Sequence, residues 1–531
     1  MLYILLSSLL TAIFILLILL ILFFLIMKNI KGSSSKTSNK NYCKKQKNAK
    51  TIILSFENIS YDAENNPFEN KQSFFNLKEK LKDIAVNNKI EKIIIDVNNC
   101  PFTSTQVEEL YPIFKKLNKT KKVIALSKLL DNTSYMVALL ADKIYLENTI
   151  NSTLLLRGYY RKLCYFKDFF NKVGIDFKIL HIGDYKAAGE NFSRKDMSNT
   201  LKENLNDLYN EKLQYFIDFV KERRNVDITV PLLQGKLFLN EDPSLIDGRL
   251  NIGQYLKKEE HLFQINNYKI KRKEKSKNTL AVITLEGQIK QSDLSYEQVE
   301  EKIDRIKDIK NLKGIVLEIN SPGGSAYDSS LIHSYITENI DVPIFVSMKD
   351  VCASGGYFIA TTGKKIFANQ NTITGSIGVV SMYPIVSSLA KKIGLNYDGL
   401  QYGKTTEYGN LYEHLQNDTK DGIIDHMNKV YNEFKSVVIK SRHMSDTRLE
   451  RIAQGRVWSA KDAKYNGLID DIKTTDEVIQ ELANYLDLKD YKVVKINKKW
   501  NFKNYTKGKL PLLNYSEYLN VPLMLFDEKF I

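Results

Sequence analysis

The feature that most constrains this chain is that it resembles itself. Displaced by 222 residues, Ile93-Ile94-Ile95-Asp96-Val97-Asn98 falls on Ile315-Val316-Leu317-Glu318-Ile319-Asn320, and Lys143-Ile144-Tyr145 falls on Lys365-Ile366-Phe367. After a two-residue gap, Lys172-Val173-Gly174 meets Lys392-Ile393-Gly394, and Gln234-Gly235-Lys236 meets Gln454-Gly455-Arg456. One order of elements repeated at one displacement reads as a tandem duplication. The length of 531 residues agrees, being too great for a single hydrophobic core. Each copy alternates short β-rich apolar runs with longer helical stretches, such as Gly314–Ile319 and Val342–Ser347 against Ala326–Glu338 and Gly355–Thr361. That alternation predicts βαβ units and a largely parallel sheet in each half.

The expected segments follow from breaks in composition. Residues 1–27 form a membrane anchor and 28–50 a polar linker; 51–265 form the first domain, 266–278 a charged linker, 279–488 the second domain and 489–531 a tail. From Leu2 to Met27 there is no charge, enough to cross roughly 30 Å of hydrocarbon as a helix. The run ends in Phe-Phe-Leu-Ile-Met-Lys without small residues for a cut, so an uncleaved single-pass anchor is expected. Seven lysines between Lys28 and Lys47 follow it and none precedes it, which by the positive-inside rule puts the large domains in the cytoplasm.

Lys and Arg exceed Asp and Glu by 77 to 62, but the lysines are spread along the chain and no nucleic-acid motif accompanies them. Binding of DNA or RNA is therefore not expected. Cys43, Cys100, Cys164 and Cys352 have no metal-ligand spacing and are too few for a disulfide framework, so neither metal nor cofactor is implied.

The chemistry lies in three small-residue clusters of the second half: Ser321-Pro322-Gly323-Gly324-Ser325, Cys352-Ala353-Ser354-Gly355-Gly356-Tyr357 and Thr374-Gly375-Ser376-Ile377-Gly378. Glycine pairs after strands let the backbone turn tightly, and N–H groups there can hold an oxyanion. A serine at a strand-to-helix turn, followed by two glycines, is placed as a nucleophile.

With these clusters, Ala453-Gln454-Gly455-Arg456-Val457-Trp458, Asp462–Asp470 and Gly183-Asp184-Tyr185-Lys186-Ala187-Ala188-Gly189-Glu190, residues 50–485 resemble the signal peptide peptidase A family in its long tandem form. That family is peptidase family S49 of the Clp protease and crotonase superfamily. The resemblance implies an α/β fold of duplicated Clp protease/crotonase-like domains and a serine endopeptidase with a Ser-Lys dyad. It implies remnant signal peptides as substrates, a homotetramer, and a bacterial inner-membrane protein with its catalytic domain outside the cytoplasm, against the lysine count. By the same resemblance Ser354 is the nucleophile and Lys186 its base. Gly323 or Gly324 with Gly355 forms the oxyanion hole, and Ser376 orients the lysine.

A weak serine nucleophile needs such a base, and no histidine lies between Asn369 and Val380, where Clp-type enzymes place theirs. The repeat offers a rival, because Lys186 falls on Thr406 and Lys404 is two residues away. In the first half Asn132 stands opposite Ser354 and Cys100-Pro101-Phe102 opposite Pro322-Gly323-Gly324, so one active site per chain is expected. The competing functions are an inactive membrane scaffold and a crotonase-type acyl-CoA enzyme, which would not need Ser354 or Lys186.

Overall fold

Runs of β-branched residues form the centres of two parallel sheets. In the first, Ile93, Ile94 and Ile95 are all buried, with Ile93 and Ile95 in the main core and Ile94 in a separate cluster with Leu126 and Leu262. A strand covered on both faces reads as a continuous apolar run rather than an alternating one. The computed structural model describes residues 49–56, 58–63, 71–235, 242–270 and 276–497, with Gln46 and the strand Leu523–Leu525. The expected anchor 1–27 lies outside the described residues, as does most of the polar linker 28–50. Among the described residues, no helix is long and apolar enough to cross a membrane.

The duplication is visible in the strand order. The first sheet runs Leu262–Gln264, Thr51–Leu54, Lys92–Asp96, Lys122–Ser127, Lys143–Glu147, Gly248–Leu250, all parallel. In the second, eight-stranded sheet, Lys492–Ile496, Thr279–Glu286, Leu312–Ser321, Ile344–Ala353, Lys365–Ala368 and Asp471–Ile472 follow one another in parallel, while Ile373–Gly375 continues from the far end of Ile344–Ala353 and pairs antiparallel with Val457–Ser459. Those six parallel strands match the first sheet position for position. Beyond the expected domain end at 488, Lys492–Ile496 takes the edge place that Leu262–Gln264 takes in the first sheet. Its lysines disguise it, since its apolar character suffices only beside the buried strand Thr279–Glu286.

The halves interlock rather than merely touch. The strand Asp176–Ile182 leaves the first half as an arm and pairs antiparallel with Val379–Ile385 of the second, with Ile182 opposite Val379 and Asp176 opposite Ile385. The helix Asn199–Arg224 follows the arm and also reaches the second half. Its Asn204 amide donates to the Val457 carbonyl at 2.7 Å and accepts from the Val457 N–H at 3.0 Å.

A buried ionic cluster joins the halves beneath the second sheet. Glu109, on the helix Ser104–Leu117, accepts from Lys78 Nζ at 2.5 Å, Lys349 Nζ at 2.8 Å and the Thr475 N–H at 2.8 Å. Burial alone would push the Glu109 carboxyl up. Lys349 and Lys78 outweigh it and hold the group well below the usual carboxylate range. Losing one partner from such a cluster strands the opposite charges, which costs about 3–5 kcal/mol. Glu109→Gln should thus lower unfolding free energy by about that amount in urea melts, while Lys50→Ala, on an exposed surface pair, should change it by less than about 1 kcal/mol.

Candidate active site

Ser354 ends the strand Ile344–Ala353 and precedes the short helix Gly355–Ala360. Its φ of +55° lies where a non-glycine residue is strained by roughly 1–3 kcal/mol, and its N–H is held by the Gly375 carbonyl at 2.8 Å. The following glycine is required by space. A Cβ on Gly355 would lie 2.4 Å from Ser329 Oγ. The loop Ser321-Pro322-Gly323-Gly324-Ser325 is fastened alongside: Ile289 N–H donates to the Gly323 carbonyl at 2.8 Å, and Ser325 N–H donates to the Ile289 carbonyl at 2.9 Å. The Gly323 N–H reaches Ser321 Oγ at 3.2 Å.

Lys186 arrives from the other half, on the turn that follows the arm. Tyr185 N–H donates to the Gln454 carbonyl at 2.8 Å, and Asp184 N–H donates to Gln454 Oε1 at 3.1 Å. Gly455, at φ +76°, lets the two backbones close, since a Cβ there would sit 2.6 Å from the Lys186 backbone nitrogen. Arg456 clamps the same junction. Its guanidinium lies between the rings of Tyr185 and Trp458, at 4.8 and 4.6 Å from their centroids, and pairs with Asp207 at 2.7 Å. Beyond the turn, Glu190 accepts from Ser198 N–H and Oγ, both at 2.6 Å, tying the lysine turn to the N-cap of the helix Asn199–Arg224.

These contacts bring Lys186 Nζ to 2.8 Å from Ser354 Oγ, 2.9 Å from the Ser376 carbonyl oxygen and 3.0 Å from Ser376 Oγ. Ser354 is fully buried and Lys186 is 4% exposed. Burial lowers the Lys186 pKa well below the ordinary lysine value, and no carboxylate pairs with it among the described residues to restore it. A neutral amine here can give its two hydrogens to Ser376 and receive the Ser354 O–H on its lone pair. The rival Lys404 is elsewhere: its side chain is 88% exposed and lies 3.6 Å from Asp418. None of the described histidines hydrogen-bonds Ser354.

In the first half the equivalent residues serve the fold. The Asn132 side chain clasps Arg157, donating to its carbonyl at 2.6 Å and accepting from its N–H at 3.0 Å, and buried Cys100 points its thiol at the Leu54 carbonyl. Beside the second-half site, the strand Leu523–Leu525 lies antiparallel between Gly323–Ser325 and Val380. The gap between the glycine loop and the strand Val379–Ile385 therefore accepts an extended chain.

The family assignment rests on both halves at once. The model of peptidase family S49 matches residues 115–247 and 337–489, more than half of the chain. The chain belongs to peptidase family S49. The first match contains Lys186 and the second contains Ser354 and Ser376. Protease 4 of Haemophilus influenzae is 31% identical over 400 residues, which cover 68% of this chain and 64% of that protein. Protease 4 of Salmonella typhi is 25% identical over 464 residues, covering 79% and 73%. This S49 chain thus spans somewhat less than two thirds of the first relative. Among solved structures, a membrane-bound stomatin-specific protease in complex with a substrate peptide aligns with 44% of the chain at 18% identity and a TM-score of 0.30.

Sequence reading attached no task to Gln454, Gly455 and Arg456, although the repeat had marked them. It also passed over Asn204, which no motif includes. If the pocket keeps Lys186 uncharged, its 15N-labelled ammonium should titrate well below the bulk lysines in NMR. A titration coincident with theirs would remove the lysine as a neutral group.

Proposed function

We propose that this chain is a membrane-anchored serine endopeptidase that uses Ser354 as nucleophile and Lys186 as general base. The observation that carries this reading is the 2.8 Å approach of a buried, uncharged-leaning amine to a buried serine hydroxyl at a strained turn. Neutral Lys186 removes the Ser354 proton as Oγ attacks the scissile carbonyl. Ser376 fixes the amine through its carbonyl and hydroxyl. Backbone N–H groups of Gly323 or Gly324, with that of Gly355, receive the oxyanion. The lysine then returns its proton to the leaving amine, and water hydrolyses the acyl-enzyme with the lysine again as base.

The substrates we assign are peptides presented near a bilayer, remnant signal peptides among them. They would bind as a strand in the gap where Leu523–Leu525 lies, with main-chain pairing giving affinity and side-chain pockets giving selectivity. The apolar run Leu2–Met27 supports attachment to a bacterial inner membrane in a single pass. We place the peptidase domains outside the cytoplasm and the assembly as a homotetramer. An acyl-CoA enzyme or an inert scaffold would leave the Ser354, Lys186 and Ser376 arrangement without use.

Peptide hydrolysis should fall at least about 10³-fold in Ser354→Ala and about 10²–10⁴-fold in Lys186→Met, with Lys404→Ala unchanged. Because the base acts uncharged, kcat/KM should rise with pH through the lowered Lys186 pKa and level off above it. Undiminished hydrolysis by Ser354→Ala, or a rate that falls as pH rises through this range, would refute the assignment.

A further inference from the structure

The two halves also enclose a half-open cavity of about 350 Å³ that the proposed chemistry does not use. Its walls come from the start of the helix Ser104–Leu117, from the helix Asn199–Arg224 and from the strands Ile344–Ala353 and Ile373–Gly375. The volume is that of a small-molecule site, roughly 300–1,000 Å³. Ser354, Lys186 and Ser376 are not among its lining residues, and neither are the residues bordering the gap in which Leu523–Leu525 lies. Asp350, on its wall, stands four positions before Ser354 on the same strand, about 13 Å away along extended chain. The cavity is therefore separate from the catalytic groove.

Its charged groups are of both signs and are not paired with each other. Lys212 is half-buried and makes no hydrogen bond or ion pair among the described residues. Its Nζ lies 5.4 Å from the centroid of the Tyr159 ring, which is stacked on Tyr209 of the cavity wall. Burial lowers the Lys212 pKa, and the pull of Asp350 only partly opposes this. Asp350 accepts the Thr105 hydroxyl, yet burial still pushes its carboxyl up. Glu211 adds a second carboxyl, held by the Ser459 hydroxyl and also raised by burial. Each charge is thus short of a counter-ion. A cation and a carboxylate held apart in one cavity match a ligand that carries both charges. Leu208 and Ile373 meet across the halves and give the cavity an apolar wall.

We propose that this cavity binds a short zwitterionic peptide with apolar side chains, its terminal carboxylate on Lys212 and its terminal ammonium on Asp350. The choice of a peptide rests on the proposed function, since peptides are what such an enzyme releases; the site itself does not. The ligand would lie against three elements that place the dyad. Asp350 is on the strand that ends at Ser354. Ile373 begins the strand that leads to Ser376. Lys212 is on the helix whose N-cap, Ser198, is tied to the lysine turn through Glu190. A cleavage product held there would contact the supports of the catalytic site without entering it.

The test uses the full chain carrying Ser354→Ala in detergent, so that no hydrolysis intervenes, and reads the binding of dileucine by calorimetry. One dileucine should bind per chain. Lys212→Met should weaken binding about 10- to 100-fold, the worth of a hydrogen bond to a charged group. It should leave the melting temperature unchanged, because Lys212 has no hydrogen-bond partner to lose. N-acetyl-dileucine and dileucine amide, each keeping one of the two charges, should bind at least about tenfold more weakly than dileucine. No saturable binding up to about 10 mM would overturn the proposal. So would equal affinity in Lys212→Met, or equal affinity for the singly charged ligands. Because the chain under test lacks the nucleophile, such a failure would leave the Ser-Lys chemistry standing, and absence of hydrolysis by the wild type would leave this site standing.

Discussion

Every part of the proposed site depends on one backbone ladder, the antiparallel pairing of Asp176–Ile182 with Val379–Ile385. The ladder carries the turn bearing Lys186 off its own half and sets it against the Gln454-Gly455-Arg456 loop of the other. Without it the lysine would sit in solvent, as Lys404 does. With it the amine is buried among hydroxyls and carbonyls that can hydrogen-bond a neutral nitrogen but cannot balance a charge. The same geometry therefore positions the lysine and lowers its pKa. The contrast with Glu109 is instructive. There, too, a charge is buried at the junction of the halves, but two lysines keep it ionised, which makes it a structural tie.

Duplication followed by divergence explains why the halves are not interchangeable. Six parallel strands match in order between the two sheets, yet the second sheet adds Ile373–Gly375 and Val457–Ser459 and the turns at the strand ends differ. The second half keeps the strained serine, the two glycines after it and the glycine loop. The first half replaces the serine with Asn132, whose amide now holds the Arg157 backbone. The first half keeps the lysine turn, while its repeat in the second half, around Lys404, is exposed. Each half has retained the element that the other lacks, so the site exists only where they meet.

Much of this was legible in the residues. Apolar runs such as Ile93–Ile95 and Ile315–Ile319 marked the sheet centres because strands buried on both faces need no polar alternation. Ser354 and its glycines were legible because a tight strand-to-helix turn tolerates few alternatives. Resemblance was needed to single out Lys186, since one lysine among 77 basic residues has no local mark of burial. The edge strand Lys492–Ile496 was missed because its lysines conceal a role that only its neighbour reveals. Asn204 and Arg456 were unreadable as a pair, since 252 positions separate residues that act on one junction.

The most direct measurement is of the covalent step itself. Rapid mixing with a peptide ester, acid quench and peptide mass mapping would locate the acyl group and time its formation. The account predicts an acyl adduct on Ser354 in the wild-type chain, forming at least about 100-fold more slowly in Lys186→Met. An adduct on another residue, or one that forms on Ser354 at the same rate without Lys186, would contradict it.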